Sequence, residues 1–334
     1  MYTDLPIWVS ISFIIGGLYM LVKSADFFVD GAAAVAKYFG VPSFIVGMVI
    51  IGFGTSAPEF CVSVLSASSG HSSLSFGNAF GSCIFNIAAI LGIVAMIRPI
   101  NIPPSVIYFG SPMLIFITAV QYFFVQHNGY SRIEGIIAFA LFCVILPIYC
   151  WHEKKETKLE KEEVVEVESK ANIPILKSIV LLILGLVLLV GSSHILVWGC
   201  VDVARAFKIS ELLIGLTVVA IGTSLPELAS AIVAARKNEN ELVVGNIIGS
   251  NLFNTLAVVG VAGAIQPFEK LSKFAVCRDV PVTIISSIVL ILVGINWRKP
   301  KDPGVINRFE GFLFFIGFAL YVAVMMWQEV AAGK

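Results

Sequence analysis

The sequence predicts an all-α integral membrane protein of ten transmembrane helices, arranged as two inverted five-helix repeats. Three observations predict it. Of 334 residues, 58% are hydrophobic and only 13% charged, with a mean hydropathy of +0.93, whereas soluble domains carry about 25% charged residues. Ten windows of the ~20 mostly apolar residues that a spanning helix needs can be laid along the chain. A displacement of 168 residues also brings long stretches of the chain onto one another.

The first window, 7–27, follows Asp4 rather than a basic segment and lacks a small-residue cleavage pattern, which predicts a span rather than a removable leader. The second and third, 43–67 and 74–97, are interrupted by Gly, Pro, Ser and Asn; the fourth and fifth run over 103–125 and 133–151. From Trp151 to Asn172, the run EKKETKLEKEEVVEVESK mixes acids and bases without an apolar face wide enough to bury, and reads as a soluble linker. Further windows follow at 174–198, 211–235, 241–265, 277–296 and 309–328, the seventh and eighth again interrupted. The expected organisation is therefore a first repeat over 1–151, a linker over 152–173 and a second repeat over 174–334. Fifteen of the 22 Lys and Arg fall on the linker's side of the membrane and seven on the other. The positive-inside bias then places the linker in the cytoplasm and both termini outside.

Formal charge is zero, with 22 basic and 22 acidic residues, so no basic face recommends a nucleic-acid partner. The six cysteines form no C-x-x-C pair and have no His at zinc spacing, and they read as small buried hydrophobes. No H-E-x-x-H occurs, and no nucleophile stands beside an intramembrane His base, so neither enzyme nor cofactor is expected. The 25 Phe suit packing and lipid contact. Asp26 and His194 occupy equivalent positions and are expected near the membrane interface, with Lys23 and Asp30 spaced to pair with Asp26. His71, His127 and His152 are expected in solvated loops.

The displacement of 168 aligns GMVIIGFGTSAPEF (Gly47–Phe60) with GLTVVAIGTSLPEL (Gly215–Leu228), and without a gap GNAFGSCIFN (Gly77–Asn86) with GNIIGSNLFN (Gly245–Asn254). Gly92 then meets Gly260 and Pro99 meets Pro267, so the duplicated regions extend over 47–99 and 215–267. A weaker echo, RIEG at Arg132 and RFEG at Arg308, needs a displacement of 176. Each copy holds five windows, an odd number, so the second must enter the membrane in the opposite orientation. Transporters of this plan carry their substrate site near the midplane, on interrupted helices.

Pro58 has no N–H and its ring crowds the carbonyl of Gly54, so a helix through GTSAPE must open; Pro226 and Gly222 repeat the device. Freed carbonyls in hydrocarbon must face protein, water or an ion. Thr55, Ser56 and Glu59 fall on one helical face next to the opened turn, as do Thr223, Ser224 and Glu227. An intramembrane carboxylate costs ~2.5–3.5 kcal/mol on insertion scales, and two would also repel. A shared cation removes both penalties, and so does protonation of each carboxyl. Asn78, Ser82 and Asn86, with Asn246, Ser250 and Asn254, add neutral oxygens every four residues, Asn78 and Asn246 serving either helix packing or the ion path. An all-oxygen set without His or thiolate suits Ca²⁺, which takes six to eight oxygens, better than zinc, copper or slowly dehydrating Mg²⁺.

These duplicated motifs resemble the two alpha-repeats of the sodium/calcium exchanger superfamily, in its prokaryotic form. The resemblance spans essentially the whole chain, and it implies that Glu59 and Glu227 bind both Ca²⁺ and Na⁺. It assigns further ligands to Thr55 and Thr223 through their carbonyls, to Ser56, Ser224, Ser82 and Ser250 through their hydroxyls, and to Asn86 and Asn254. The function implied is exchange of Na⁺ for Ca²⁺ by alternating access, the first and sixth helices moving across a four-helix core in a prokaryotic plasma membrane. Ca²⁺/H⁺ exchange by the same two carboxylates is the alternative, and a channel would use the same oxygens without counter-ion coupling. Partners are then the two ions, or H⁺ in place of Na⁺, and the bilayer, with no obligatory protein partner. Some relatives carry Asp where this chain has Asn254, a position linked to K⁺ co-transport, so the asparagine argues against K⁺ dependence.

Overall fold

The computed structural model describes residues 6–70, 72–126, 129–163, 174–207, 220–268, 271, 275–300 and 302–332. Among them, eight continuous helices are long and apolar enough to cross a membrane, and a bent pair supplies a ninth crossing. In chain order the helices are α1 (Ile7–Phe39), the bent pair α2 (Ser43–Thr55) and α3 (Ala57–Ser68), α4 (Leu74–Ile97), α5 (Val106–Gln126) and α6 (Arg132–Glu163). The second half holds α7 (Ile175–Ala206), α8 (Ala220–Thr223), α9 (Leu225–Arg236), α10 (Asn240–Ile265), α11 (Val276–Gly294) and α12 (Arg308–Ala332). The window expected at 211–235 lies partly outside the described residues; its remainder is the broken pair α8 and α9.

Burial sorts these helices into a core and a lipid-facing shell. Of the most apolar window of α10, 94% is buried, and of α4, 78%, against 11% for α12. The two helices that carry the second motif are thus the innermost. Outside them, α1 and α7 pack mainly on each other. Each is longer than expected, at 33 and 32 residues, or ~50 Å at 1.5 Å per residue, longer than a bilayer's hydrocarbon core and so tilted across it.

Their antiparallel crossing follows from a repeated pair of glycines. Gly17 and Gly31 on α1 correspond to Gly185 and Gly199 on α7, and all four lie against the backbone of the opposite helix. Between them Ser24 and Ser192, themselves equivalent, meet at 3.5 Å. Small residues at these positions let the two backbones approach, the usual device for helix packing in lipid.

The inverted relation of the halves is equally plain at the membrane faces. The short strands β1 (Ile100–Ile102) and β2 (Gly304–Ile306) pair antiparallel, Ile100 opposite Ile306. Tyr130 and Phe268 form an isolated bridge, with N–H···O distances of 3.0 and 2.8 Å. Displacing Ile100 by 168 gives Phe268, and displacing Tyr130 by 176 gives Ile306, so one tie is the repeat image of the other. The 176 offset has a structural counterpart in two capping boxes. Ser131 N–H donates to Glu134 Oε2 at 2.6 Å, and Asn307 N–H donates to Glu310 Oε2 at 2.8 Å.

Three expectations need correction. The charged run after Trp151 does not leave the fifth span at once: α6 continues to Glu163, because its Glu and Lys are strong helix formers able to pair along a turn. His152 accordingly lies on α6 with its ring stacked on Phe109 at 4.2 Å, not in a solvated loop; His71 and His127 lie outside the described residues. Cys83 is buried, but Cys61, Cys143 and Cys277 are exposed; on a lipid-facing surface the apolar thiol needs no burial. Asp26 and Asp30 are bridged by Lys237, at 3.2 and 2.8 Å, and His194 is exposed on α7.

A Cβ at Gly185 would lie 2.5 Å from Phe28 N, whereas one at Gly16 would meet nothing within 4 Å. Gly185→Ala is therefore expected to destabilise by about 1–3 kcal/mol through overpacking. Gly16→Ala should be neutral or stabilising by up to ~1 kcal/mol through helix propensity. Thermal unfolding of the purified protein in detergent compares the two signs.

Candidate cation site

The site is built where the two proline motifs open their helices. Ser56 leaves helical geometry at φ −82°, ψ 7°, and Ser224 at φ −94°, ψ 11°; the axis turns by 45° between α2 and α3. Pro58 and Pro226 stand in the first turns of α3 and α9, where a missing N–H costs nothing. Glu59 and Glu227 occupy the same first turns, so each carboxylate sits at a positive helix end.

The two halves then grip one another reciprocally. Ser56 Oγ donates to Glu227 Oε1 at 2.9 Å, and Ser224 Oγ donates to Glu59 Oε1 at 2.7 Å. Each serine precedes the glutamate of its own helix by three residues and serves the glutamate of the other. Both carboxyls are at most 1% exposed. Glu59 Oε2 and Glu227 Oε2 have no hydrogen-bond partner in the protein, and neither does Asn86 Oδ1 or Asn254 Oδ1. Four buried oxygens, two from each repeat, are thus left with free lone pairs, where buried polar atoms are ordinarily satisfied.

Asn86 and Asn254 ride on equivalent π-helical turns, Phe85–Ile90 and Phe253–Val258. Such turns recur at functional sites. Thr55 is fully buried, its hydroxyl donating to Ile51 O at 2.9 Å, and Thr223 closes α8 next to Ser224. Ser82 donates to Glu59 Oε1 at 3.4 Å, but Ser250, its equivalent, donates to the Gly52 carbonyl at 3.0 Å. The structure therefore brings the Ser82 hydroxyl to the carboxylates and turns that of Ser250 onto the backbone of α2.

Asn78 and Asn246 serve the frame. Their amide groups donate to the backbone carbonyls of Glu59 and Glu227, at 3.1 and 3.5 Å, and to Ser63 and Ser230, at 3.0 and 3.3 Å. Each second-motif helix is thereby fixed to the helix bearing the glutamate. One proline-freed carbonyl also has a protein partner, since Ser193 on α7 donates to Gly222 O at 2.8 Å. Ala25 stands at the equivalent place on α1.

Sequence reasoning missed Ser193, Asn251 and Gln121. Asn251 accepts from Asn86 Nδ2 at 3.1 Å and donates to Cys83 O at 3.3 Å. Gln121, fully buried on α5, donates to Thr255 O at 2.9 Å. A lone amide in an apolar span was the available signal for Gln121; Asn251 stood within the duplicated motif, but only in one copy.

A predominantly helical membrane protein whose repeats each bury a glutamate bonded to a serine of the other repeat belongs, as a class, with the secondary antiporters of cations. The family model for sodium/calcium exchanger protein matches residues 9–151 and 177–327, and the chain belongs to that family. It is 38% identical over 312 residues to the putative antiporter CaxA of Alkalimonas amylolytica, covering 92% of this chain and 96% of that one. It is 26% identical to the sodium/calcium exchanger MaX1 of Methanosarcina acetivorans, covering 93% and 97%. The solved structure of the sodium-calcium exchanger NCX_Mj soaked with Na⁺ and Sr²⁺ superposes with a TM-score of 0.79 at 29% identity, covering 95% of this chain and 99% of that one.

If the reciprocal bonds join the halves, double-mutant cycles should reveal it. Ser56→Ala with Glu227→Gln, and Ser224→Ala with Glu59→Gln, should each give a coupling of about 1–3 kcal/mol in thermal unfolding. The same serines paired with the glutamate of their own helix should couple more weakly.

Proposed function

We propose that the protein exchanges Na⁺ for Ca²⁺ by competition at one site held by Glu59 and Glu227. The observation that carries this reading is that two buried carboxyls bonded across the repeats, and two buried asparagines on equivalent turns, each keep an oxygen without a protein partner. Two carboxylates and two amide oxygens offer a hard, doubly negative cage. One Ca²⁺ neutralises it, and more than one Na⁺ does so equally, which makes the two ions mutually exclusive occupants. Backbone oxygens of Thr55 and Thr223 and the hydroxyls of Ser56, Ser224 and Ser82 complete the Ca²⁺ shell of six to eight oxygens. Ser250 acts one step removed, through Gly52. The relatives MaX1 and NCX_Mj, both sodium/calcium exchangers, support the same ion pair.

The site is reached from each side in turn, as α1 and α7 slide together over the core. Their separate packing unit and their glycine-lined crossing suit them to move as one body. The charge distribution supports a cytoplasmic linker with both termini outside, in a prokaryotic plasma membrane. Asn254 in place of an acid supports K⁺-independent exchange.

Protonation would also neutralise two dry carboxyls, so Ca²⁺/H⁺ exchange is the competing outcome of the test. Proteoliposomes loaded with Na⁺ and diluted into Na⁺-free buffer should take up radiolabelled Ca²⁺, and Glu59→Gln or Glu227→Gln should abolish the uptake. Uptake driven by an imposed pH gradient and indifferent to Na⁺ would move the assignment to protons. Uptake undiminished by either substitution would remove the site altogether.

A further inference from the structure

The two halves of the cage are equivalent in sequence but are not held alike. Asn86 and Asn254 are repeat images, and the residues three positions before them, Cys83 and Asn251, are images too. Cys83 and Asn251 meet across the pseudo-symmetry axis, where identical residues would make identical contacts. Here one is a thiol and the other an amide, so the contacts differ.

The orientation of the amides follows from hydrogen-bond logic alone. The backbone carbonyl of Cys83 can only accept, so the group that Asn251 turns toward it, at 3.3 Å, is its Nδ2. Asn251 Oδ1 then faces Asn86, and Asn86 must offer its own Nδ2, at 3.1 Å. That leaves Asn86 Oδ1 as the oxygen without a protein partner. Asn86, Asn251 and Cys83 are each at most 2% exposed, so no bulk water competes for these bonds.

Asn254 has no such support. Both Oδ1 and Nδ2 lack a protein partner, although the residue is fully buried. The thiol of Cys83, which occupies the place of an orienting amide, lies instead near Thr255 Oγ1 at 3.5 Å and Asn251 O at 3.8 Å. What the second half does hold is backbone: Gln121 Nε2 donates to Thr255 O at 2.9 Å, within the π-helical turn that carries Asn254. The turn is anchored, but no hydrogen bond fixes which end of the Asn254 amide faces the cage.

We propose that Asn251 is a positioning residue that locks the amide of Asn86 with its oxygen toward the transported cation, and that the Cys83/Asn251 difference makes the cage asymmetric. Asn86 is the preorganised ligand and contributes most of the amide share of Ca²⁺ affinity. Asn254 must pay for its ordering on each binding event and contributes less. A cage with one hydrogen-bonded and one unbonded amide is less rigidly set on the second side, which suits a carrier that alternates between ions of different number and size. This inference rests on the cation site argued above.

The test measures the KM for Ca²⁺ and the maximal rate of Na⁺-driven uptake. Outer groups that orient metal ligands typically matter by 10–100-fold. Asn86→Ala and Asn251→Cys are each expected to raise KM by about tenfold, with the maximal rate within about twofold. The Asn86→Ala/Asn251→Cys double variant should be no worse than either alone. Asn254→Ala should raise KM by less than about threefold in the parent, but by about tenfold in a Cys83→Asn background, where an amide stands ready to orient it. An Asn251→Cys effect undiminished in the Asn86→Ala background would overturn the proposal. So would Asn254→Ala costing as much as Asn86→Ala in the parent, a comparison that decides the matter even if Asn251→Cys fails to fold. Absence of Na⁺-driven uptake in the parent would instead count against the exchange reading. The same variants would then be ranked by the shift that Ca²⁺ produces in thermal unfolding, with the same order expected.

Discussion

Two carboxyl groups buried side by side in the middle of a membrane protein set the terms for everything around them. Among the described residues, no lysine, arginine or histidine forms an ion pair with Glu59 or Glu227. Their charge cannot be discharged by the protein itself, and at low dielectric it cannot be left standing. The surrounding structure supplies only partial help: helix N-termini, one cross-repeat serine on each carboxyl, and neutral oxygens. A cationic side chain would neutralise the centre permanently, whereas a bound ion could satisfy it and leave, as the proposed exchange requires.

Duplication provides the geometry at little cost in sequence. A single arrangement of proline, serine and glutamate, used twice in opposite orientations, aims two helix ends at one point. The ties that hold the halves are likewise used twice, as the images Ile100/Ile306 and Phe268/Tyr130 and the two capping boxes show. The crossing of α1 and α7 obeys the same rule, with Ser24 and Ser192 at its centre. Contacts within the core are dense and polar at the motifs, while α1 and α7 meet mainly through glycine and apolar side chains.

Much of this was legible in the sequence. Hydropathy located the nine crossings seen among the described residues, the displacement of 168 located the paired motifs, and proline chemistry located the breaks, because each depends on local residue type. Glu59, Glu227, Asn86 and Asn254 could be picked out because polar groups are conspicuous in apolar runs. Contacts that depend on how two helices rotate against each other were not legible. Ser82 and Ser250 are indistinguishable in sequence, yet one bonds a carboxylate and the other a carbonyl of α2. Asn78 and Asn246 could have lined the ion path or held the frame, and only packing distinguishes the two. The helical extension to Glu163 was masked by its charge, since a run without an apolar face can still be helical when it is rich in helix-forming Glu and Lys.

The departures from symmetry carry information that the repeats alone cannot. Perfect duplication would make the two half-sites interchangeable. Lys237 joins Asp26 and Asp30 on α1, while its repeat equivalent is Ser69, which cannot form such a bridge. Ser193 covers Gly222 O from α7, and the equivalent Ala25 offers Gly54 no hydroxyl. Both differences lie where α1 and α7 touch the core. The centre is built from two nearly matching halves, and the residues that differ give each half its own contacts with α1 and α7.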